Sequence, residues 1–291
     1  MFDRIFRRKS LELLNAEMQG EKRLHRVLGP ISLTSLGVGA IIGAGIFAMT
    51  GRVAAQDAGP AVMTSFMVAG VACVLAALCY SEFAAMVPVA GSAYTYTYAT
   101  LGELAAWIIG WDLILEYAVG SMTVAIGWSG YMQKMLHTFF DISLPVWMTG
   151  SPGTFEGSII NLPAVGIVLL IMVLLVVGVR ESARFNALMV AIKLLVVLFF
   201  IFMGFSHVDT ANWTPFMPYG FSGVMSAAAV VFFAYIGFDA VSTTAEEARN
   251  PKRDLPIGII ASLVICTVLY LAVCLVLSGT ILALKLRYRN R

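Results

Sequence analysis

The sequence predicts an all-α membrane protein, and its composition and the spacing of its apolar runs carry that prediction. Of the 291 residues, 59% are hydrophobic and only 12% are charged, whereas about a quarter of the residues of a soluble domain are charged. A helix needs about 20 mainly apolar residues to cross a bilayer. Seven stretches of the chain qualify as spans: 31–54, 61–87, 104–133, 159–179, 183–205, 222–247 and 256–280.

The basic residues alternate between the two ends of these spans. They cluster before the first span, between the fourth and fifth, and between the sixth and seventh: Arg4, Arg7, Arg8, Lys9, Lys22, Arg23, Arg26, Arg180, Arg184, Arg249, Lys252 and Arg253. The opposite loops hold only Arg52 and Lys134. By the positive-inside rule, segment 1–30 is cytoplasmic and 31–280 is a multi-pass domain of the cytoplasmic membrane. This orientation argues against a seven-helix receptor, whose N-terminus would lie outside.

The C-terminal tail, residues 281–291, does not follow this pattern. It carries Lys285, Arg287, Arg289 and Arg291 on the side where few basic residues are expected. Either the seventh span does not cross normally, or the tail is not the natural end of a complete protein. We expect truncation or a shifted reading frame, either of which would make 281–291 a non-native basic tail.

Two spans are weakened in their middle. The first contains GVGAIIGAGIF, with Gly37, Gly39, Gly43 and Gly45, and each glycine costs about 1 kcal/mol relative to alanine in a helix. The sixth, VVFFAYIGFDA, is interrupted around 235–237. Interrupted spans in matching positions indicate the binding site of a transporter, because freed N–H groups attract a carboxylate and freed carbonyls bind an ammonium group. Close helix packing is the alternative, since Gly39 and Gly43 have the spacing of small-xxx-small motifs.

Two segments closely resemble the cationic amino acid transporter family of the amino acid–polyamine–organocation superfamily: GVGAIIGAGIFAMTG and FFAYIGFDAVSTTAEEARNPKRDLPIGI. The resemblance covers about 20–280 and implies a LeuT-type inverted repeat, of which this chain supplies the first seven helices with spans 1 and 6 broken. It also implies a substrate site. The carboxylate would meet N–H groups of Ala44, Gly45 and their neighbours, including Gly43, and the ammonium group would meet carbonyls of Ile41, Phe233 and Ile236.

Lys193 lies inside the fifth span, in NALMVAIKLLVVLFFI. A lysine at a helix centre costs roughly 2.5–3.5 kcal/mol on insertion scales, so it indicates a function; snorkelling towards the cytoplasmic side is the alternative. Burial disfavours the charged amine, which therefore can exchange a proton. In proton-coupled members of the family, a lysine at this place substitutes for the sodium ion of sodium-driven relatives. The resemblance thus implies contact with carbonyls near Gly39 and coupling to protons.

Three acidic residues lie within or beside apolar runs. Glu116, in GWDLILEYAVG of the third span, is a candidate for proton uptake or for contact with a basic substrate, against a purely structural acid. The structural interpretation suits Asp112 better. Asp239 follows the interruption of the sixth span, and we expect it to cap or brace the half-helix there.

The remaining motifs have ordinary explanations. Tyr94, Tyr96 and Tyr98 alternate as membrane-interface anchors do, and the cysteines are expected to be buried thiols: Cys73, Cys79, Cys266 and Cys274. Asn212 begins a glycosylation sequon. The charged cluster after the sixth span fits an inner gate or ordinary solvated charge: Glu246, Glu247, Arg249, Lys252, Arg253 and Asp254. The sequence offers no metal cluster, cofactor motif, nucleic-acid site or catalytic triad, so we predict no enzyme.

The predicted function is secondary active transport of amino acids across the cytoplasmic membrane, coupled to protons. The expected partners are an amino acid, protons and the lipid bilayer. Because the inverted repeat implied by the resemblance has ten core spans, two alternatives stay open. The chain is an inactive membrane protein that binds relatives or has no transport role, or another chain supplies the missing half. The sequence does not decide between cationic and small neutral substrates.

Overall fold

The described residues of this computed structural model form helices and no extended strand. These residues are 8–10, 26–43, 45–177 and 179–280, so Ala44 and the tail 281–291 lie outside them. The α-helices are α1 Pro30–Ile41, α2 Thr50–Val53, α3 Val62–Met86, α4 Ser92–Thr100, α5 Glu103–Phe140, α6 Leu162–Val177, α7 Val179–Phe205, α8 Gly220–Val231 and α9 Pro251–Thr280. Short π and 3-10 turns extend several of these helices, and together they give the all-α class that the sequence predicts.

Five helical stretches within the described residues are long and apolar enough to cross a membrane: Pro30–Met86, Glu103–Phe140, Ala187–Phe205, Gly220–Glu247 and Pro251–Thr280. The first of these contains the predicted span 31–54 and all but the last residue of the predicted span 61–87. The predicted span 159–179 corresponds to a shorter apolar helix, Leu162–Val176. The chain is therefore a multi-pass membrane protein.

The chain divides into two compact units, and α5 and α7 each contribute to both. The first unit contains residues up to Leu113 and from Met189 onward, and the second contains Ile114–Leu188. In the first unit, α9 packs against both α1 and α3. The buried rings of Phe66, Tyr235 and Tyr270 form the centre of its core, with ring centroids 5.3–6.1 Å apart. Such edge-on contacts between aromatic rings stabilise a core beyond the area that they bury.

The second unit is held by a polar network at one end of α5. The buried Ser129 hydroxyl donates to Asn161 Oδ1 (2.6 Å), and Gln133 Nε2 donates to Ser129 Oγ (2.9 Å) and to Thr149 O (3.2 Å). Asn161 Oδ1 also accepts the N–H of Ala164 (3.1 Å) in the first turn of α6, as an N-cap residue does. These bonds fix the loop between α5 and α6.

Candidate functional site

The first interruption of the helical path follows α1. Pro30 is favoured in the first turn because its missing N–H has no partner there in any case. The helix ends at Ile41, Ile42 has an extended conformation (φ −72°, ψ 102°), and Gly43 is also non-helical. Helical structure resumes at Gly45 and continues through π and α turns to Ala58. We call Ile42 and Gly43 the first break.

The second interruption lies in the sixth predicted span. Helix α8 ends at Val231 and tightens into a 3-10 turn, Phe232–Tyr235. Ile236 then becomes extended (φ −56°, ψ 136°) and Gly237 has φ +114°. A second 3-10 segment, Asp239–Glu247, follows. We call Ile236, Gly237 and Phe238 the second break.

The sequence left two interpretations of the first-span glycines open, close helix packing and a broken helix, and each describes some of these glycines. Gly37, Gly39 and Gly45 are packing positions, because a Cβ added at any of them would collide with Ser262, Val190 or Ala234, respectively. Gly43 differs, since a Cβ there would meet nothing within 4 Å. Close approach thus explains three of the four glycines, while Gly43 lies in the break beside open space.

Lys193 reaches the first break from α7. Its Nζ donates to Gly39 O (2.6 Å) and to Ile42 O (2.8 Å), which includes the carbonyl that the family resemblance implies. Both carbonyls lie at the C-terminal end of α1, where the i to i+4 hydrogen bonds of the helix stop. The last carbonyls of a helix have no partners within the helix. The snorkelling alternative does not describe this lysine, because its amine is directed to backbone oxygens of another helix.

Tyr270 on α9 bonds to the main chain just before both breaks, and the sequence analysis did not identify it. Its hydroxyl lies 2.9 Å from Ile41 O and 2.9 Å from Ala234 O. A hydroxyl has one proton, so two carbonyls compete for one donor inside a fully buried site. Tyr235 instead donates to Phe66 O on α3 (2.9 Å). The polar hydroxyl of Tyr270 in an otherwise apolar run, ICTVLYLAVC, was the only available signal.

The first unit brings together most of the predicted site residues. Ile41 and Gly39 present carbonyls at the first break, and Gly45 begins the helical run that follows it. Phe233 and Ile236 lie at the second break, where Phe233 O accepts the N–H of Ile236 (3.3 Å). Ala44 lies outside the described residues. Glu116 lies half-buried on α5 in the second unit, so it is not among the residues that the first unit brings together.

The other acidic candidates differ in burial. Asp239 is buried at the start of the segment after the second break, and Ser242 Oγ donates to its carbonyl oxygen (2.6 Å). This bond uses the main-chain oxygen of Asp239, so the bracing role of its carboxylate stays a prediction. Asp112 is exposed on α5. Among the described residues no group of three or more histidine, cysteine or acidic side chains has the arrangement of a metal site.

Three of the ordinary interpretations need correction. Tyr96 is not an interface anchor, because it is buried and stacks on Phe83 at 5.5 Å; burial raises the pKa of Tyr96 to about 12, so its hydroxyl remains protonated. Cys79 is exposed, unlike the other three cysteines. The sequon residue Asn212 is buried, and its Nδ2 donates to Gly279 O (2.7 Å), so the amide is not accessible to a modifying enzyme.

Comparison with known proteins gives a family match over most of the chain. A family profile described as amino acid permease matches residues 28–282. This range includes both breaks, Lys193 and Tyr270. It leaves out residues 1–27 and 283–291.

Relatives with curated names are similar over nearly the whole chain. The methylthioribose transporter of Bacillus subtilis is 52% identical over 275 residues, which cover 94% of this chain and 59% of that protein. The branched-chain amino acid permease BcaP of the same organism is 56% identical over 95% of this chain and 60% of its own length. Human cationic amino acid transporter 4 is 43% identical over 89% of this chain and 41% of its own length. The chain thus spans about three fifths of the bacterial relatives.

Proposed function

The chain belongs to the amino acid permease family, and from this premise we propose that it takes part in proton-coupled transport of amino acids across the cytoplasmic membrane. The proposed site consists of the two breaks and Lys193. In the proposed orientation the N-terminus is cytoplasmic, as the basic residues before α1 predict.

The contact between Lys193 and the first break is the observation that carries the proposal. A protonated amine forms charge-assisted hydrogen bonds, which are about twice as strong as neutral ones, to Gly39 O and Ile42 O. Loss of the proton removes that charge and weakens the tie between α7 and α1. Protonation of one side chain would therefore bias the geometry of the break, which is what coupling of transport to a proton gradient requires.

The breaks also suit the two charged groups of an amino acid. The helical run that begins at Gly45 directs its first N–H groups towards the break, where they favour a carboxylate. We propose that Gly43, Ala44 and Gly45 bind this group. Carbonyls of Ile41, Phe233 and Ile236 would accept from the substrate ammonium, because a carbonyl oxygen has two lone pairs and can accept a second hydrogen bond.

Substrate selection is proposed to depend on side chains outside this backbone site. Glu116 is the candidate for recognition of a basic substrate. In Glu116→Gln, uptake of lysine or arginine should fall while uptake of alanine or leucine is retained. Equal loss for both classes would show that Glu116 has a structural role instead.

The central experiment is uptake by the purified chain in liposomes. We expect labelled amino acids to accumulate when a proton gradient is imposed and to leak out when an ionophore collapses it. Lys193→Met should abolish the response to the gradient. Lys193→Arg keeps the positive charge and the hydrogen-bond donors, so comparison of the two variants separates the effect of losing the charge from the effect of losing proton exchange. Gradient-driven uptake by Lys193→Met equal to that of the unmodified chain would refute proton coupling through this residue.

The same preparation tests the substrate class. Methylthioribose, the substrate in the name of one relative, has neither an ammonium nor a carboxylate group, so it should compete poorly with amino acids for the proposed site. Effective competition by methylthioribose would argue against recognition through the breaks. Absence of both uptake and binding for every common amino acid would favour a membrane protein without a transport role.

A further inference from the structure

A groove between α5 and α6 lies wholly within the second unit and has a volume of about 380 Å³. None of the described side chains that line it is charged. An amino acid would lose the hydration of its two charges here without gaining a partner for either, so the groove suits an apolar group. The apolar walls come from both helices: Met122, Ala125, Ile126, Ala164, Val168 and Leu169.

One polar side chain that lines the groove, Asn161, has a fixed orientation. Its Oδ1 accepts from the Ser129 hydroxyl (2.6 Å) and from the N–H of Ala164 (3.1 Å), which uses both lone pairs of that oxygen. Gln133 Nε2 donates to Ser129 Oγ (2.9 Å), so the Ser129 proton is directed at Asn161. Rotation of the Asn161 amide by a half turn would place its NH₂ group against the N–H of Ala164, which is also a donor. The network therefore leaves Nδ2 on the opposite side of the amide.

The two N–H donors of Asn161 Nδ2 have no hydrogen-bond partner in the part of the chain that the structure describes. The residue is half-buried, and a donor beside apolar walls costs free energy until an acceptor reaches it. Because Nδ2 offers donors only, it selects a ligand group that accepts. The groove thus favours an apolar ligand that carries an acceptor at one end.

The loop before α6 indicates the depth of Asn161 in the membrane. Trp147 O accepts the N–H groups of Ile159 (3.1 Å) and Ile160 (3.0 Å), and Trp147 is 47% exposed, as a tryptophan at a membrane interface is. Asn161 therefore lies at the edge of the hydrocarbon layer, where phospholipids have their ester carbonyls. From Asn161 to Leu169 the groove follows α6 for about 12 Å, most of the roughly 15 Å of hydrocarbon in one leaflet.

We propose that this groove binds one acyl chain of a glycerophospholipid, with an ester carbonyl of that lipid accepting a hydrogen bond from Asn161 Nδ2. An ester carbonyl accepts and does not donate, which matches the free side of the amide. The acyl chain covers apolar side chains of both helices and so holds α5 against α6. In the orientation proposed above, the lipid belongs to the outer leaflet. The inference goes beyond the transport proposal, because the groove shares no residue with the two breaks or with Lys193.

A pair of matched lipids tests the carbonyl contact. The delipidated chain is titrated with a phosphatidylglycerol that carries two oleoyl chains, and native mass spectrometry measures the bound lipid. The second probe is the diether analogue, which has the same headgroup and chains but no ester carbonyl. Because one hydrogen bond is lost, the diether lipid should bind about three- to tenfold more weakly. Equal affinity for the two lipids would overturn the proposed contact.

Asn161→Asp separates the free donor from the part that Asn161 plays in the fold. The aspartate keeps an oxygen that accepts from Ser129 and from the N–H of Ala164, as an N-cap residue should. It replaces Nδ2 with an oxygen that repels a carbonyl. The ester lipid should therefore bind at least threefold more weakly, and its advantage over the diether lipid should disappear. Thermal unfolding of the lipid-free variant checks that the fold is kept, and a retained preference for the ester lipid would contradict the proposal.

Filling the groove tests the site of the acyl chain without touching the polar network. Val168 and Val173 are both exposed on α6, but only Val168 lines the groove. Val168→Trp should abolish binding of both lipids, whereas Val173→Trp should leave it unchanged. Unchanged binding to Val168→Trp would overturn the proposal.

The same titrations identify other occupants of the groove. Competition by cholesterol as effective as that by the phosphatidylglycerol would assign the groove to a sterol. A dimer of this chain that excludes the lipid would assign it to a second copy. Either result overturns the proposal. Because every readout is lipid binding, failure of amino acid uptake would refute transport and leave the lipid site supported.

Discussion

The two breaks share an Ile-Gly pair in sequence but differ in their surroundings. The carbonyls around the first break receive donors from distant helices, Lys193 on α7 and Tyr270 on α9. Beside the second break, Phe233 O accepts the N–H of Ile236 locally, and Ala234 O lies 2.9 Å from the same Tyr270 hydroxyl. Gly43 lies beside open space, whereas Gly237 has φ +114° and is pressed against Ala40 O. The first break therefore has open space beside its glycine, whereas the glycine of the second break packs against the backbone of α1.

The largest effect is expected for Gly237→Ala. A left-handed φ costs a non-glycine residue about 1–3 kcal/mol, and here the new methyl group would also lie 2.9 Å from Ala40 O. The free energy of unfolding should fall by at least this amount. The loss of stability is measured by thermal unfolding in detergent, with the fraction of protein that stays monodisperse as the readout. Gly153→Ala is the control, because Gly153 has φ +82° and no atom within 4 Å of an added Cβ. This variant therefore introduces the backbone strain of a left-handed φ without a steric collision.

A somewhat smaller loss is expected for Gly45→Ala. A Cβ at this position would lie 2.5 Å from Ala234 Cα, so the two broken spans would be forced apart. Overpacking of this kind typically costs about 1–3 kcal/mol. The same unfolding measurement tests it. Stability equal to that of the unmodified chain would mean that the two breaks are not in close contact at this point.

Replacing Tyr270 should separate an effect on the free energy of unfolding from an effect on uptake. Tyr270→Phe and Tyr235→Phe each remove a buried donor to a backbone carbonyl, which costs about 1–3 kcal/mol. Of these two tyrosines, only Tyr270 bonds to carbonyls just before both breaks, those of Ile41 and Ala234, so Tyr270→Phe alone should raise the KM for uptake, by about tenfold for 1.4 kcal/mol. A similar KM for both variants would show that bridging of the breaks by Tyr270 does not shape the substrate site.

The smallest effect on stability is expected for Gly43→Ala. Because nothing lies within 4 Å of the added Cβ, the free energy of unfolding should change by no more than about 0.5 kcal/mol. Substrate affinity should nevertheless fall, since the methyl group would enter the space where the carboxylate is proposed to bind. Isothermal titration with an amino acid, beside the unfolding curve, tests both parts. Unchanged affinity would remove Gly43 from the proposed site.

The sequence was most informative where local chemistry decides the structure. Four glycines in one apolar run indicated a span with a weakened helix. A lysine among leucines and valines indicated a polar contact inside the membrane. Family membership followed from two segments, GVGAIIGAGIFAMTG and FFAYIGFDAVSTTAEEARNPKRDLPIGI, and is confirmed by the family match over 28–282. The helical class followed from composition and from the length of the apolar runs.

Other features depended on partners distant in sequence. Which glycines pack and which one borders open space depends on Val190, Ser262 and Ala234, and no local pattern identifies those neighbours. Tyr96 and Asn212 resembled surface residues, yet each is buried. The sequence alone predicted that helical spans would be interrupted, because glycine weakens a helix through its own backbone. Only the tertiary structure decided which freed carbonyls meet Lys193 and Tyr270, since such contacts join residues that the fold brings together.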